Sequence, residues 1–114
     1  MTEVSINEAA LESMESLLGE QFAATLDFCC VEFERLGSEV LATIGQDKEA
    51  SVRHAHSLKS NAAQFGADSL AAVAGEIEQS LNNDNLAQAT AASAQLMTQV
   101  AQSQTLLNNW LASR

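Results

Sequence analysis

Residues 53–67 of the chain read RHAHSLKSNAAQFGA and contain both histidines of the protein. Apolar or small residues recur in this stretch at spacings of three and four, which is the pattern of a helix with one buried stripe. The stripe comprises Ala55, Leu58, Ala62 and Phe65. Asp47 is placed to cap the start of such a helix, and Gly66 is placed to end it. The stretch therefore predicts one helix that packs one face against a core.

The two histidines lie on different sides of this predicted helix. An i, i+2 pair is separated by about 200° at about 100° per residue, so His54 and His56 cannot bind one metal ion together. His54 falls beside Leu58, at the edge of the buried stripe, where a histidine packed against the core is the ordinary interpretation. His56 falls on an exposed flank, about 60° from Lys59. A titratable ring and an ammonium group are therefore neighbours on a surface of small side chains.

Residues 56–60 (HSLKS), followed by Gly66 and Ala67, resemble the signature of the histidine-containing phosphotransfer (Hpt) domain. The pattern of that family is H-x-L-K-G, then five residues, then G and often G-A. The next predicted helix is also similar to the family, which closes it with leucine or isoleucine followed by Glu or Gln. The matching residues there are Leu70, Val73, Ile77 and Glu78. One position departs from the pattern, because Ser60 stands where the family usually has glycine.

The resemblance implies a phosphocarrier with His56 as the phosphate acceptor. Such a protein relays a phosphoryl group between receiver domains, those of a hybrid sensor kinase and a response regulator, in a multistep two-component phosphorelay. Imidazole has an ordinary pKa of about 6.5, so a neutral ring nitrogen is available as a nucleophile near pH 7. Lys59 is one turn along the same flank and is expected to stabilise the phosphate with its ammonium group.

The partner receiver domain is expected to supply Mg²⁺, the phosphorylated aspartate and most of the catalysis. The chain itself shows no metal-binding constellation and no glycine-rich phosphate loop with lysine. We therefore expect a carrier without a cofactor of its own and not a turnover enzyme.

The receiver domain is expected to dock on the small and apolar side chains round His56. This predicted docking surface comprises Val52, Ser60, Ala63, Gln64 and Glu78. Glu78 stands at the acidic or amide position of the family, and the bundle could bring it near His56. Spacing alone makes Glu78 an ordinary surface glutamate.

Length, composition and charge indicate one helical domain covering residues 1–114. The chain has no proline and is 46% hydrophobic, which suits helices round a single core. Its formal net charge of −10 disfavours nucleic acid and acidic membrane surfaces as partners. No apolar run is long enough to span a membrane, and the N-terminus lacks the features of a secretory signal.

The adjacent Cys29 and Cys30 are poorly placed to bridge each other. We expect them to be small core residues in a reducing cytoplasm.

Caps and glycines predict the remaining helices. A capping box of Ser5 and Glu8 starts a short first helix that Gly19 ends. Further helices are predicted over about 20–44 and 70–81, the latter capped by Asp68 or Ser69, and over about 85–112. Tight loops make neighbouring helices antiparallel. The predicted fold is an all-α, antiparallel up-down four-helix bundle with an additional short N-terminal helix across one end.

Two other protein classes fit the composition. A non-catalytic helical adaptor or chaperone-like bundle would make His56 and Lys59 incidental, and phosphate transfer from a phosphorylated receiver with Mg²⁺ would distinguish it. A histidine-kinase dimerisation domain would need an attached ATP-binding domain, for which 114 residues leave no room. We expect a monomer, and a measured monomer mass would exclude that second class.

Overall fold

The computed structural model describes residues 3–114, which form six α-helices and no strand. The helices are α1 (Glu8–Leu18), α2 (Phe22–Thr43), α3 (Lys48–Gln64), α4 (Asp68–Asn82), α5 (Leu86–Ser93) and α6 (Leu96–Ala112). A short 3₁₀ turn, Gly19–Gln21, joins α1 to α2. None of these helices combines the length and the apolar character that crossing a bilayer requires.

The four long helices α2, α3, α4 and α6 form the bundle. α2 packs against α3 and α6, and α4 packs against α3 and α6 from the other side, so the four helices surround one core. The largest fully buried side chains of this core include Phe33, Leu58, Leu70, Ile77, Leu96 and Leu107. Short connections between α2, α3 and α4 make these neighbours antiparallel. The predicted four-helix bundle is confirmed.

The N-terminal segment closes the end of the bundle where α3 turns into α4. The backbone N–H of Asn7 donates to the carbonyl oxygen of Gly66 at 2.6 Å. Leu11 of α1 is fully buried in the core. Near the end of α1, Glu15 accepts a 2.7 Å hydrogen bond from Arg114, the last residue of the chain. α1 is therefore the additional short N-terminal helix that the sequence predicts.

The predicted caps of α1 and α4 are wrong, because the two serines concerned bind each other. The amide of Ser5 donates to Oγ of Ser69 at 2.9 Å, which ties the N-terminal segment to α4. The N-cap of α1 is Asn7, whose Oδ1 accepts from the amide of Ala10. α4 begins at Asp68 with no side-chain cap hydrogen bond. The prediction for α3 is confirmed, since Asp47 caps it.

The last predicted helix, over residues 85–112, is in fact two helices. α5 ends at Ser93, whose hydroxyl donates to the carbonyl oxygen of Thr90 at 2.7 Å. Such local bonding competes with regular helix. After the break, α6 packs closely on α2, where a Cβ at Gly37 would lie 3.0 Å from Sδ of Met97. The change of direction lets α6 take its place as the fourth helix of the bundle.

The two cysteines are buried and unbridged in α2. Burial raises the pKa of the Cys29 thiol to about 12 and that of the Cys30 thiol to about 11. Both thiols are therefore protonated at neutral pH, and neither is a reactive thiolate. The interpretation of Cys29 and Cys30 as small core residues is confirmed.

Candidate functional site

His56 projects from the middle of α3 with 59% of its side chain exposed. Its Nδ1 lies 2.7 Å from Oε2 of Glu78 on α4. An ionised carboxylate can only accept a hydrogen bond, so Nδ1 carries the proton and donates a hydrogen bond to Glu78. Nε2 then carries the lone pair. Because the two ring nitrogens point to different sides of the imidazole, Nε2 faces away from Glu78.

Glu78 binds Lys59 with its other oxygen. Nζ of Lys59 lies 2.6 Å from Oε1, so a single carboxylate holds the imidazole and the ammonium group at once. Only 15% of the Glu78 side chain is exposed. Burial by itself would raise the pKa of Glu78, but the hydrogen bonds from Lys59 and His56 outweigh it and hold the pKa below its ordinary value. Glu78 is therefore ionised at neutral pH, and this arrangement is lost only as the pH falls into the acid range.

Gly75 provides the space in which Lys59 reaches Glu78. A Cβ at position 75 would lie 3.2 Å from Cδ of Lys59, which is tighter than ordinary packing. The lysine stem can therefore lie flat on α4 one turn before Glu78. Gly75 is not among the site residues that the sequence predicts. Its one signal is its place as an isolated glycine within a predicted helix, where glycine is unfavourable and can have a packing reason.

The structure gathers part of the predicted docking surface round His56. Val52 is half-buried and lines a hollow between α3 and α4 together with His56 and Glu78. Ser60 is exposed and lines a second hollow with His56 on the side of α2. Two predicted members lie farther along α3, exposed and outside both hollows. They are Ala63 and Gln64.

His54 lies on a different face of α3 from His56, as the helical geometry predicts, and lines the second hollow from the edge of the core. Only 18% of its side chain is exposed, and its Nε2 lies 3.8 Å from Oε2 of Glu39 on α2. The interpretation of His54 as a histidine at the edge of the core is confirmed. Within residues 3–114, no group of three or more His, Cys, Asp or Glu side chains is arranged to hold a metal ion.

Solved structures of known proteins share the fold of this chain, and a family model matches its sequence. HptB, a histidine-containing phosphotransfer protein from Pseudomonas aeruginosa PAO1, superposes with a TM-score of 0.88 at 23% identity, covering 96% of each chain. The histidine-containing phosphotransfer protein ZmHP2 from maize has a TM-score of 0.71 at 19% identity, covering 93% of this chain and 86% of its own. At such identities these structures establish the fold alone. No curated protein matches the sequence.

The family model of the Hpt domain matches residues 7–110, from the N-cap of α1 to the end of the core-forming part of α6. The matched region includes the exposed His56, Lys59, and Glu78, whose carboxylate binds both of them. The chain therefore belongs to the Hpt domain family and is a histidine phosphotransfer carrier of a phosphorelay.

Proposed function

We propose that His56 is the phosphate acceptor of this carrier. The observation that supports this role most directly is the exposed imidazole whose Nδ1 donates to the ionised Glu78. That hydrogen bond leaves Nε2 as the nucleophilic nitrogen at the protein surface. The proposed partners are receiver domains, those of a hybrid histidine kinase and of a response regulator.

Transfer would take place by in-line displacement at phosphorus. Nε2 of His56 attacks the aspartyl phosphate of a receiver domain, the N–P bond forms, and the P–O bond breaks. The aspartate carboxylate leaves with the bonding electron pair. The phosphorylated ring gains positive charge while Nδ1–H stays bonded to Glu78, whose negative charge stabilises it. The same contacts serve the reverse step to the next receiver.

The receiver domain would provide the aspartate and Mg²⁺, and this chain would provide the nucleophile and its positioning. We accordingly propose a phosphocarrier without a cofactor of its own rather than a turnover enzyme. We further propose that it acts as a monomer in the cytoplasm, where receiver domains and reduced cysteines are both expected.

Lys59→Ala should slow phosphoryl transfer about ten- to a hundredfold, because a charge-assisted contact to the phosphoryl group contributes about 1.5–3 kcal/mol. The ammonium is held beside His56 by Glu78, and 40% of the lysine side chain is exposed, so an arriving phosphate oxygen can reach it. Lys59 is partly exposed, and Glu78 keeps its hydrogen bond from His56 in the variant, so the fold should persist. The measurement is the single-turnover rate from a saturating phosphorylated receiver.

Arg114→Ala is the control for that experiment. It removes the same charge and an ion pair of similar length, since Nη2 of Arg114 lies 2.7 Å from Oε1 of Glu15. Arg114 lies beside α1 at the end of the bundle, outside both hollows that His56 lines. Equal losses of transfer rate in both variants would show that the loss of net charge causes the effect. An unchanged rate in Lys59→Ala would contradict the phosphate-binding role.

Ser60→Gln should weaken receiver docking, whereas Ser60→Gly should preserve or improve it. Ser60 is exposed one turn after His56, where a longer side chain would occupy the space that a partner approaches. Glutamine is a good helix former, and glycine should cost the helix only about a few tenths of a kcal/mol relative to serine. The measurement is the receiver concentration that gives half the maximal transfer rate, with circular dichroism to check folding.

Ser13→Gln makes the same substitution on the exposed side of α1, at the end of the bundle. It should leave transfer unchanged. If Ser60→Gln folds and transfers like the wild type, the docking surface does not include this part of α3.

A further inference from the structure

Among the lysines and arginines of the described residues 3–114, Arg53 is the one without an ion pair. The others are paired as Arg35 with Glu32, Lys48 with Asp84, Lys59 with Glu78 and Arg114 with Glu15. The chain has 15 acidic side chains, so carboxylates are abundant. Glu49 even lies one turn before Arg53 on α3, at the spacing that favours a helical ion pair, yet the two form none. The structure thus leaves one guanidinium uncommitted.

Arg53 and Lys59 bracket the imidazole of His56. Arg53 lies one turn before His56 on α3 and Lys59 one turn after it, which at about 100° per residue places them about 60° to either side. Lys59 is on the flank that meets α4, where it binds Glu78. Arg53 is exposed on the other flank, and together with His56 it lines both hollows beside the ring.

The charges on the two flanks differ. On the α4 side, the ammonium of Lys59 is shared with Glu78, so only part of its donor capacity is left for a phosphate oxygen. A phosphoryl group on Nε2 would lie on the side of the ring away from that carboxylate, and its anionic oxygens would need donors there. A guanidinium is planar and always charged, and it can bind two phosphate oxygens at once. Arg53 is the cation available for that contact.

We propose that Arg53 is a second phosphate-binding residue of this site, whose guanidinium contacts the phosphoryl group on His56 from the flank opposite Lys59. The proposal rests on the acceptor role of His56. It differs from a docking role, in which Arg53 would bind acidic side chains of the receiver domain. Both roles involve an oxyanion, so the test must separate the phosphoryl group from the partner protein.

Phosphoramidate makes that separation, because it phosphorylates histidine without a partner protein. Its P–N bond breaks, ammonia leaves, and a new N–P bond forms at the imidazole. Arg53→Gln should slow phosphorylation of the intact protein by phosphoramidate about three- to tenfold, as expected for loss of an exposed charge-assisted contact. Arg53→Lys should recover part of the rate, since it keeps the charge but not the fork of donors. Arg114→Gln, with the same loss of charge outside both hollows that His56 lines, should react like the wild type.

Three other results would count against the proposal. If Arg53→Gln reacts normally with phosphoramidate and loses only salt-dependent transfer from a receiver, Arg53 belongs to docking. If Arg114→Gln slows the reaction as much as Arg53→Gln, the loss of net charge is the cause. Each of these two results would overturn the proposed role of Arg53 and leave the acceptor role of His56 intact. If the wild type gains no phosphate on His56 from either donor, the acceptor assignment fails and the proposal for Arg53 fails with it.

Discussion

His56→Gln is expected to abolish phosphorylation of the protein, whereas His54→Gln should leave it at the wild-type level. The two histidines are two residues apart in sequence but lie in different surroundings. His56 is 59% exposed with a proton-donating Nδ1 and an open Nε2, while His54 is 18% exposed beside Glu39. We therefore expect a partner's aspartyl phosphate to react with the more exposed ring, that of His56. The measurement is acid-labile phosphate gained from a phosphorylated receiver with Mg²⁺.

Each histidine variant serves as the control for the other. Glutamine can still donate a hydrogen bond to Glu78, so the fold of His56→Gln should persist, and circular dichroism would verify it. NMR of the phosphorylated wild type should place the phosphoryl group on Nε2, because Nδ1 is occupied by Glu78. Phosphate on His56→Gln together with its loss from His54→Gln would reverse the assignment.

The relation of His56 to Lys59 could be predicted from sequence, but the position of Glu78 could not. Residues three apart on one helix are neighbours by helical geometry alone. Glu78 lies 22 residues after His56 on a different helix. Its approach depends on the register in which α3 packs against α4, and that register depends on three-dimensional packing, including the close contact of Gly75 with Lys59. The family pattern indicated the importance of position 78, and the structure shows which two atoms its oxygens bind.

For the fold too, features that depend on neighbouring residues could be predicted, and features that depend on long-range packing could not. The predicted bounds of α2 and α3 agree with the structure to within about two residues, which is the usual uncertainty of helix ends. The break after Ser93 was missed because the run round it is rich in alanine, which favours helix and shows little periodic contrast. The pairing of Ser5 with Ser69 was missed for another reason. It joins residues 64 positions apart, so no local rule for caps can reveal it.

Gly66→Ala is expected to lower the free energy of unfolding by about 3 kcal/mol, for two separable reasons. Gly66 has φ +76°, a left-handed conformation that costs other residues about 1–2 kcal/mol. A Cβ there would also lie 2.5 Å from the carbonyl oxygen of Asn7, so the N-terminal segment would have to move. That movement would weaken the hydrogen bond from the Asn7 amide to the Gly66 carbonyl. Urea unfolding measures the change.

Gly45→Ala separates the two contributions. Gly45 has nearly the same left-handed φ, +79°, but a Cβ there would make only an ordinary contact, 3.9 Å from Cδ2 of Leu86. This control should therefore lose only about 1–2 kcal/mol, the conformational part. The excess loss in Gly66→Ala measures the contact that holds the N-terminal segment on the turn between α3 and α4. Because His56 lies about three turns earlier on α3, folded Gly66→Ala should still accept phosphate at the wild-type rate. Equal losses of stability in the two variants would show that the contact with Asn7 contributes nothing to stability.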